Sequence, residues 1–307
     1  MLPRTDLYEA ILARRSVRRY DKTPLEQSML TRVREIISRA VPLIPENRYE
    51  AILRDVAVGE DLVRDLGAYG RIISPPHYLT PYMLGQEYVL EDLGYRAEQI
   101  AVHLTAMGIG TCYVGALRRE AEVRSRFNLP EDARVGAFLT FGRPSTTFAG
   151  RAVNRLMRAA AGASRKLPLE RLFFQDTFDN PATPATDIAP LIEAARHSPS
   201  AVNAQPWRFL QRDGQLYLFV TRDSPRYGRG PQEHYCFYDG GIAMANITLA
   251  MEALGMRGQW MMLGGAEPQI PRHPTNLHPL ATLVMEGNHI MGRLSPVSTI
   301  EDDQHTS

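Results

Sequence analysis

The chain has 307 residues, 44% hydrophobic and 22% charged, the balance of a soluble globular protein with one large or two ordinary domains. Its net charge of +1 gives no global attraction to nucleic acid or membrane. Two cysteines, Cys112 and Cys236, exclude a cysteine-ligated iron–sulfur cluster or an all-cysteine zinc site within one chain. They are expected to be buried thiols in a reducing cytoplasm. "MLPRTDLYEAILARRS" lacks the apolar core and small-residue cleavage site of a signal peptide, so a cytoplasmic location is expected.

Residues 5–15 carry Leu7, Ile11 and Leu12 at helical spacing. "LEQSMLTRVREIISRA" (25–40) sets Leu30, Val33, Ile36 and Ile37 on one face of a second helix. Strand-like runs follow at 49–58 and 77–84, then a long helix over 87–107, and "RVGAFLTFG" (134–142) reads as a buried strand. The section 143–186, rich in Pro, Ala, Gly, Thr and Arg, reads as a linker holding one helix, "GRAVNRLMRAAAG". The pattern then restarts with a helix over 187–196, Asp187 its expected N-cap, a loop, and a hairpin "WRFLQRDGQLYLFVT" turning at Asp213-Gly214. A long helix near 241–255 and a strand "ATLVMEG" follow, and the apolar run 242–256 is too short and interrupted to span a bilayer. The tail, 296–307, is expected to be disordered.

The chain also repeats itself. Asp92 and Gly94 recur as Asp239 and Gly241 at an offset of 147, and the same offset relates Ile100 to Ile247, Ala106 to Ala253 and Gly108 to Gly255. Generic helix patterning and a C-terminal glycine produce some such matches. The order of elements on both sides repeats as well, which predicts two related halves, 1–145 and 187–295, joined by a basic insertion and linker at 146–186.

Four segments could carry chemistry. "RRSVR" (14–18) sets three guanidinium groups and a hydroxyl at a helix end, suited to a phosphate or a polar ring edge. Read alone it is better taken as an ordinary complement to the helix dipole. "GIGTCYVGA" (108–116) ends a helix instead of opening one, so it reads as a C-cap running into a strand and not as a phosphate loop. Cys112 within it has no evident base beside it and reads as a small buried hydrophobe. "HSPSAVNAQPWRF" (197–209) gathers Ser198, Ser200, Asn203 and Gln205 around two prolines, with Trp207 as a core anchor. The stretch 143–171 holds seven basic residues against Glu170, but lacks the interleaved aromatics of a nucleic-acid arm. The histidines are scattered without ligand spacing, and no serine stands in a nucleophile elbow.

Together, "RRSVR" and the run Ser-Pro-Ser-x-x-Asn-x-Gln-Pro-Trp-x-Phe make most of the chain resemble nitroreductase-type FMN flavoproteins, closest to the fused, internally duplicated, thermophile-type group. The resemblance implies an α+β fold, a mixed sheet flanked by helices in each half, with the two halves forming a pseudo-dimer. It assigns FMN contacts to Arg14, Arg15, Ser16 and Arg18, to Arg71 at the pyrimidine edge, and to Tyr113, Val114 and Gly115 on the N5 side. "RKLPLE" resembles the family's basic pair on the phosphate, here Arg165 and Lys166. Ser198, Pro199, Ser200 and Asn203 resemble the loop that reaches the flavin from a partner subunit. The first half's own loop, "VPLIPENRYEAIL", has lost that pattern, so one FMN site per chain is implied. The implied activity is ping-pong hydride transfer from NAD(P)H to a nitroaromatic, quinone or enone, by a monomeric pseudo-dimer open to further association. No catalytic side chain, metal, nucleic acid or membrane is implied. A flavin-sequestering protein, its site covered by the helix at 151–161, is the alternative reading. A protein that has lost the cofactor is a third.

Overall fold

A computed structural model describes residues 4–56, 62–160, 165–264 and 270–286. The expected disordered tail lies outside them. The helices are α1 (Arg4–Ala13), α2 (Gln27–Ser38), α3 (Leu62–Leu66), α4 (Val89–Ala106), α5 (Glu120–Phe127), α6 (Phe148–Ala160), α7 (Ala189–Arg196) and α8 (Tyr235–Leu254). Strands β1 (Arg48–Asp55), β2 (His77–Leu84), β3 (Gly110–Gly115) and β4 (Ala137–Gly142) form one antiparallel sheet in the order β1-β2-β4-β3. Strands β5 (Phe173–Gln175), β6 (Trp207–Arg212), β7 (Gln215–Thr221), β8 (Gly258–Met262) and β9 (Leu277–Met285) form the second, in the order β5-β6-β7-β9-β8. Without β5, the two orders are the same. β5 alone runs parallel to its neighbour, Phe173 facing Phe209. None of the described helices is long and apolar enough to cross a membrane.

Local chemistry accounts for most boundaries. At the β6–β7 turn, Asp213 and Gly214 take φ of 51° and 74°, the left-handed pair that matches the twist of a two-residue hairpin. Gly108 and Gly255 follow α4 and α8 at φ 74° and 71°, closing both helices in the same way. Asp187 does not cap α7. Its carboxylate accepts only the adjacent Ile188 amide, 3.1 Å, and the helix starts at Ala189 with Pro190 in its first turn. α8 starts at Tyr235, ahead of the expected 241, because the pair Gly240-Gly241 lies inside the helix.

Those glycines are there for contact. α4 and α8 cross so closely that a β-carbon on Gly94 would stand 2.1 Å from the Tyr238 carbonyl oxygen. A β-carbon on Gly241 would stand 1.9 Å from the Glu91 carbonyl oxygen. The offset of 147 relates Gly94 to Gly241 and Glu91 to Tyr238, so the contact is reciprocal, as across a two-fold axis. One hydrophobic core runs through it, joining Leu7, Ile11 and Leu93 to Trp207, Ile242 and Ala245.

Candidate functional site

The motif 14–18 begins where α1 ends, the Arg14 amide still bonded to the Ala10 carbonyl at 2.8 Å. The chain then extends along β3, with a parallel bridge from Ser16 to Thr111 and the Val17 amide on the Thr111 carbonyl at 2.8 Å. This alternation buries Val17 and sets Ser16 and Arg18 on the opposite side. "RRSVR" and the glycine stretch are thus hydrogen-bonded neighbours.

Arg14 is 8% exposed, and its Nε lies 3.5 Å from an oxygen of Glu98, which is wholly buried on α4. The other Glu98 oxygen accepts the Tyr113 hydroxyl at 2.7 Å. Burial pushes the Glu98 carboxyl up, opposed by Arg14 and by hydrogen bonds from Tyr113 and Asn246. Asn246, on α8, also donates to the Ser198 hydroxyl at 2.9 Å. A continuous polar path therefore joins Arg14 to Ser198 through Glu98 and Asn246.

Lys166 belongs to the same cluster. Burial first, then the charges of Arg14 and Arg196, bring its ammonium down to about 8. Arg14 Nε and Nη1 and Arg18 Nη1 are buried with no hydrogen-bond partner. Each buried nitrogen left so costs free energy of about 1–3 kcal/mol, or more for a charged group. Glu98 is the one carboxylate paired with this set among the described residues, its oxygen 3.5 Å from Arg14 Nε, and a phosphate fits the donors it leaves unbonded.

The loop 197–209 clamps the basic pair by its backbone. Asn203 Nδ2 and Gln205 Nε2 donate to the Arg165 carbonyl at 3.2 and 3.0 Å, and Gln205 Oε1 accepts the Leu167 amide at 2.9 Å. Ser200 Oγ accepts the Gln205 amide at 3.0 Å. Val202, Asn203 and Gln205 all have φ near 50°. For a β-branched residue such as Val202 this costs roughly 1–3 kcal/mol and persists only where the surroundings impose it. Asp239 anchors the residue before it, its two oxygens 3.0 and 3.2 Å from the Ala201 amide.

Asp239 is buried and its other hydrogen bond comes from the Tyr227 hydroxyl, 2.8 Å. Burial pushes its carboxyl up to about 8. The folded chain therefore holds a proton there that the unfolded chain releases near pH 4, and stability falls as pH rises from about 4 to about 8. Asp239→Asn is expected to flatten that part of the profile in urea melts at pH 5 and pH 8. Parallel profiles for the two proteins would exclude Asp239 as the cause.

Other residues lie where their chemistry is limited. Gly115 is capped by Tyr235, whose hydroxyl would stand 2.3 Å from a β-carbon there, donates to the Gly136 carbonyl and accepts the Leu117 amide, both 3.2 Å. Val114 is a core side chain, leaving only its backbone for a ligand. Arg15 is exposed and folds back on the Ala13 carbonyl at 2.6 Å. Arg71 and Arg165 are exposed, although the Arg71 segment is tied to the motif by a bridge between Arg19 and Ser74. Pro199 is half-buried in the loop. Cys112 is buried and its thiol is pushed up by burial, which suits packing and not nucleophilic work.

Sequence reasoning missed four contributors. Glu98, Asn246 and Arg196 sit inside helices, where a polar residue reads as a solvated face. The sequence held one signal: Gln99 and Asn246 are polar at the same offset of 147. The fourth is Asn154 of α6, whose amide oxygen accepts the Arg18 and Arg19 amides, both at 2.9 Å. The inserted helix therefore lies directly on the motif.

Residues 6–227 match the family described as "Putative TM nitroreductase". A putative nitroreductase from Thermotoga maritima is 21% identical, with 91% of this chain and 93% of that one covered at a TM-score of 0.53, a likeness of fold. An FMN-dependent nitroreductase from Clostridium difficile R20291 is 17% identical, with 44% of this chain and 85% of that one covered at 0.36. A putative NADH dehydrogenase/NAD(P)H nitroreductase from Parabacteroides distasonis is 18% identical, with 46% and 88% covered at 0.40. No curated protein matches the chain.

Proposed function

The chain belongs to the "Putative TM nitroreductase" family, and on that premise we propose that it is an FMN-dependent oxidoreductase with one flavin site built from both halves. The observation that carries this is the buried Arg14 beside the half-buried Lys166, with three buried nitrogens of Arg14 and of the half-buried Arg18 lacking hydrogen-bond partners. When bound, FMN supplies ping-pong hydride transfer from NAD(P)H to an electron-poor acceptor such as a nitroaromatic, quinone or enone.

The protein's share is binding and orientation. Arg14 and Lys166 hold the phosphate, with Ser16 and Arg18 along the polar tail of the cofactor. The Gly115 backbone N–H, with Tyr113 and Val114 leading to it, serves the N5 side without adding a titrating group. Ser198, Ser200 and Asn203 approach from the second half, their loop fixed by Asp239. The duplicated reading of the chain is supported by the reciprocal Gly94–Tyr238 and Gly241–Glu91 contacts and by the common strand order. Arg71 is assigned to the pyrimidine edge by its place in the chain alone.

The contact of Asn154 with the motif favours a second reading, in which α6 covers a flavin that is held but not used. Anaerobic addition of NADH or NADPH separates the two. The visible flavin band is expected to bleach and to return when a quinone or nitroaromatic is added. A bound flavin that stays oxidised supports sequestration, and a colourless protein that ignores added FMN sinks both.

A further inference from the structure

The roll of α6 about its own axis is fixed. Gly150 and Asn154 are buried and Val153 and Met157 half-buried, the spacing of one helix face turned to the protein. Asn154 anchors that face: its oxygen accepts the Arg18 and Arg19 amides, and its Nδ2 donates to the Arg19 carbonyl at 3.1 Å. At the start of the helix Thr147 Oγ1 accepts the Gly150 amide at 3.0 Å.

The outer face set by this roll is apolar and basic. Phe148, Ala152, Leu156 and Ala159 are exposed and fall in one stripe along the helix. Phe148 at 83% and Leu156 at 70% are the most exposed large hydrophobic side chains among the described residues, about 12 Å apart along the axis. A surface helix ordinarily turns polar residues outward, so two such side chains on one outer face mark a contact site. Arg151 and Arg155, one turn apart, line one side of the stripe. Both are exposed, and neither makes an ion pair among the described residues. Six basic residues and no acidic one stand between 143 and 169.

We propose that this face of α6 seats on the surface of an anionic lipid bilayer. The helix lies in the plane of the membrane, Phe148 and Leu156 enter the boundary between headgroups and acyl chains, and Arg151 and Arg155 meet lipid phosphates. Charge selects this occupant. A second copy packed face to face would set arginines against arginines, with no acidic residue of 143–169 to answer them. Phe148 is the single aromatic of 143–171, too few to stack the bases of a nucleic acid. Two apolar anchors and two arginines give a reversible, salt-sensitive attachment. None of these four side chains is assigned to the flavin, so the seat stands or falls apart from the proposed oxidoreductase.

Flotation of the full-length chain with vesicles tests it, using equimolar phosphatidylglycerol and phosphatidylcholine against phosphatidylcholine alone. The wild type is expected to float with the anionic vesicles only, and to be released by high salt. Phe148→Ser/Leu156→Ser and Arg151→Gln/Arg155→Gln are each expected to weaken that binding by about tenfold or more. All four side chains are exposed, so the thermal midpoints should stay at the wild-type value. A wild-type chain that floats with neither vesicle would overturn the proposal, as would flotation unchanged in both variants. A dimer in sedimentation that Phe148→Ser/Leu156→Ser abolishes would also overturn it, by giving the face to a second copy.

Discussion

Gly241→Ala is expected to destabilise the protein by roughly 3 kcal/mol, although alanine for glycine inside a helix ordinarily gains about 1 kcal/mol. The sign reverses because the new methyl would stand 1.9 Å from the Glu91 carbonyl oxygen. That oxygen belongs to helix backbone and cannot yield alone, so α4 and α8 must separate and open the core they share. Gly94→Ala, 2.1 Å from the Tyr238 carbonyl oxygen, should act in the same direction. The double variant should cost less than the sum, because one separation of the helices relieves both clashes. Gly240→Ala is the control: its nearest neighbour, at 2.5 Å, is the end of the flexible Leu280 side chain. Denaturant midpoints measure all four. A Gly241→Ala protein as stable as the wild type would remove the close helix crossing from the account.

Arg14→Ala is expected to weaken FMN binding by about a hundredfold or more, the loss of one or two charge-assisted hydrogen bonds at 1.5–3 kcal/mol each. It also strands Glu98, wholly buried with Arg14 as its ion-pair partner, so the thermal midpoint should drop as well. Glu98→Gln separates the two effects. It keeps an acceptor for the Tyr113 hydroxyl and removes the negative charge beside the anion site, so affinity should hold or rise. The Arg14→Ala/Glu98→Gln protein should regain stability without regaining FMN. Isothermal titration together with thermal melts reads both quantities. Wild-type affinity in Arg14→Ala would detach the cation cluster from flavin binding.

The legible parts of the fold were those fixed by local chemistry. The apolar spacing of Leu30 and Val33 placed α2, and Asp213-Gly214 placed the hairpin, because a two-residue turn with both φ positive suits few other pairs. β5 was not legible: Phe173–Gln175 is a strand only because Phe209 lies beside it, a pairing made across the chain. The start of α8 was missed because a glycine pair reads as a break until the approach of α4 explains it. At the site, Arg14, Tyr113, Lys166 and Ser198 were legible as motif members and are brought together. Glu98 was not, since nothing local tells a wholly buried carboxylate from one on a wet helix face. Arg15 lies in the motif and yet turns outward, because its backbone position, not its charge, decides where it points.

The central claim is that each chain carries one flavin site, assembled from the arginines of the first half and the loop of the second. Protein purified with excess FMN and freed of unbound flavin by gel filtration can be quantified against the flavin released on denaturation. One FMN per chain is the expected ratio. Two per chain, or none, would contradict the claim.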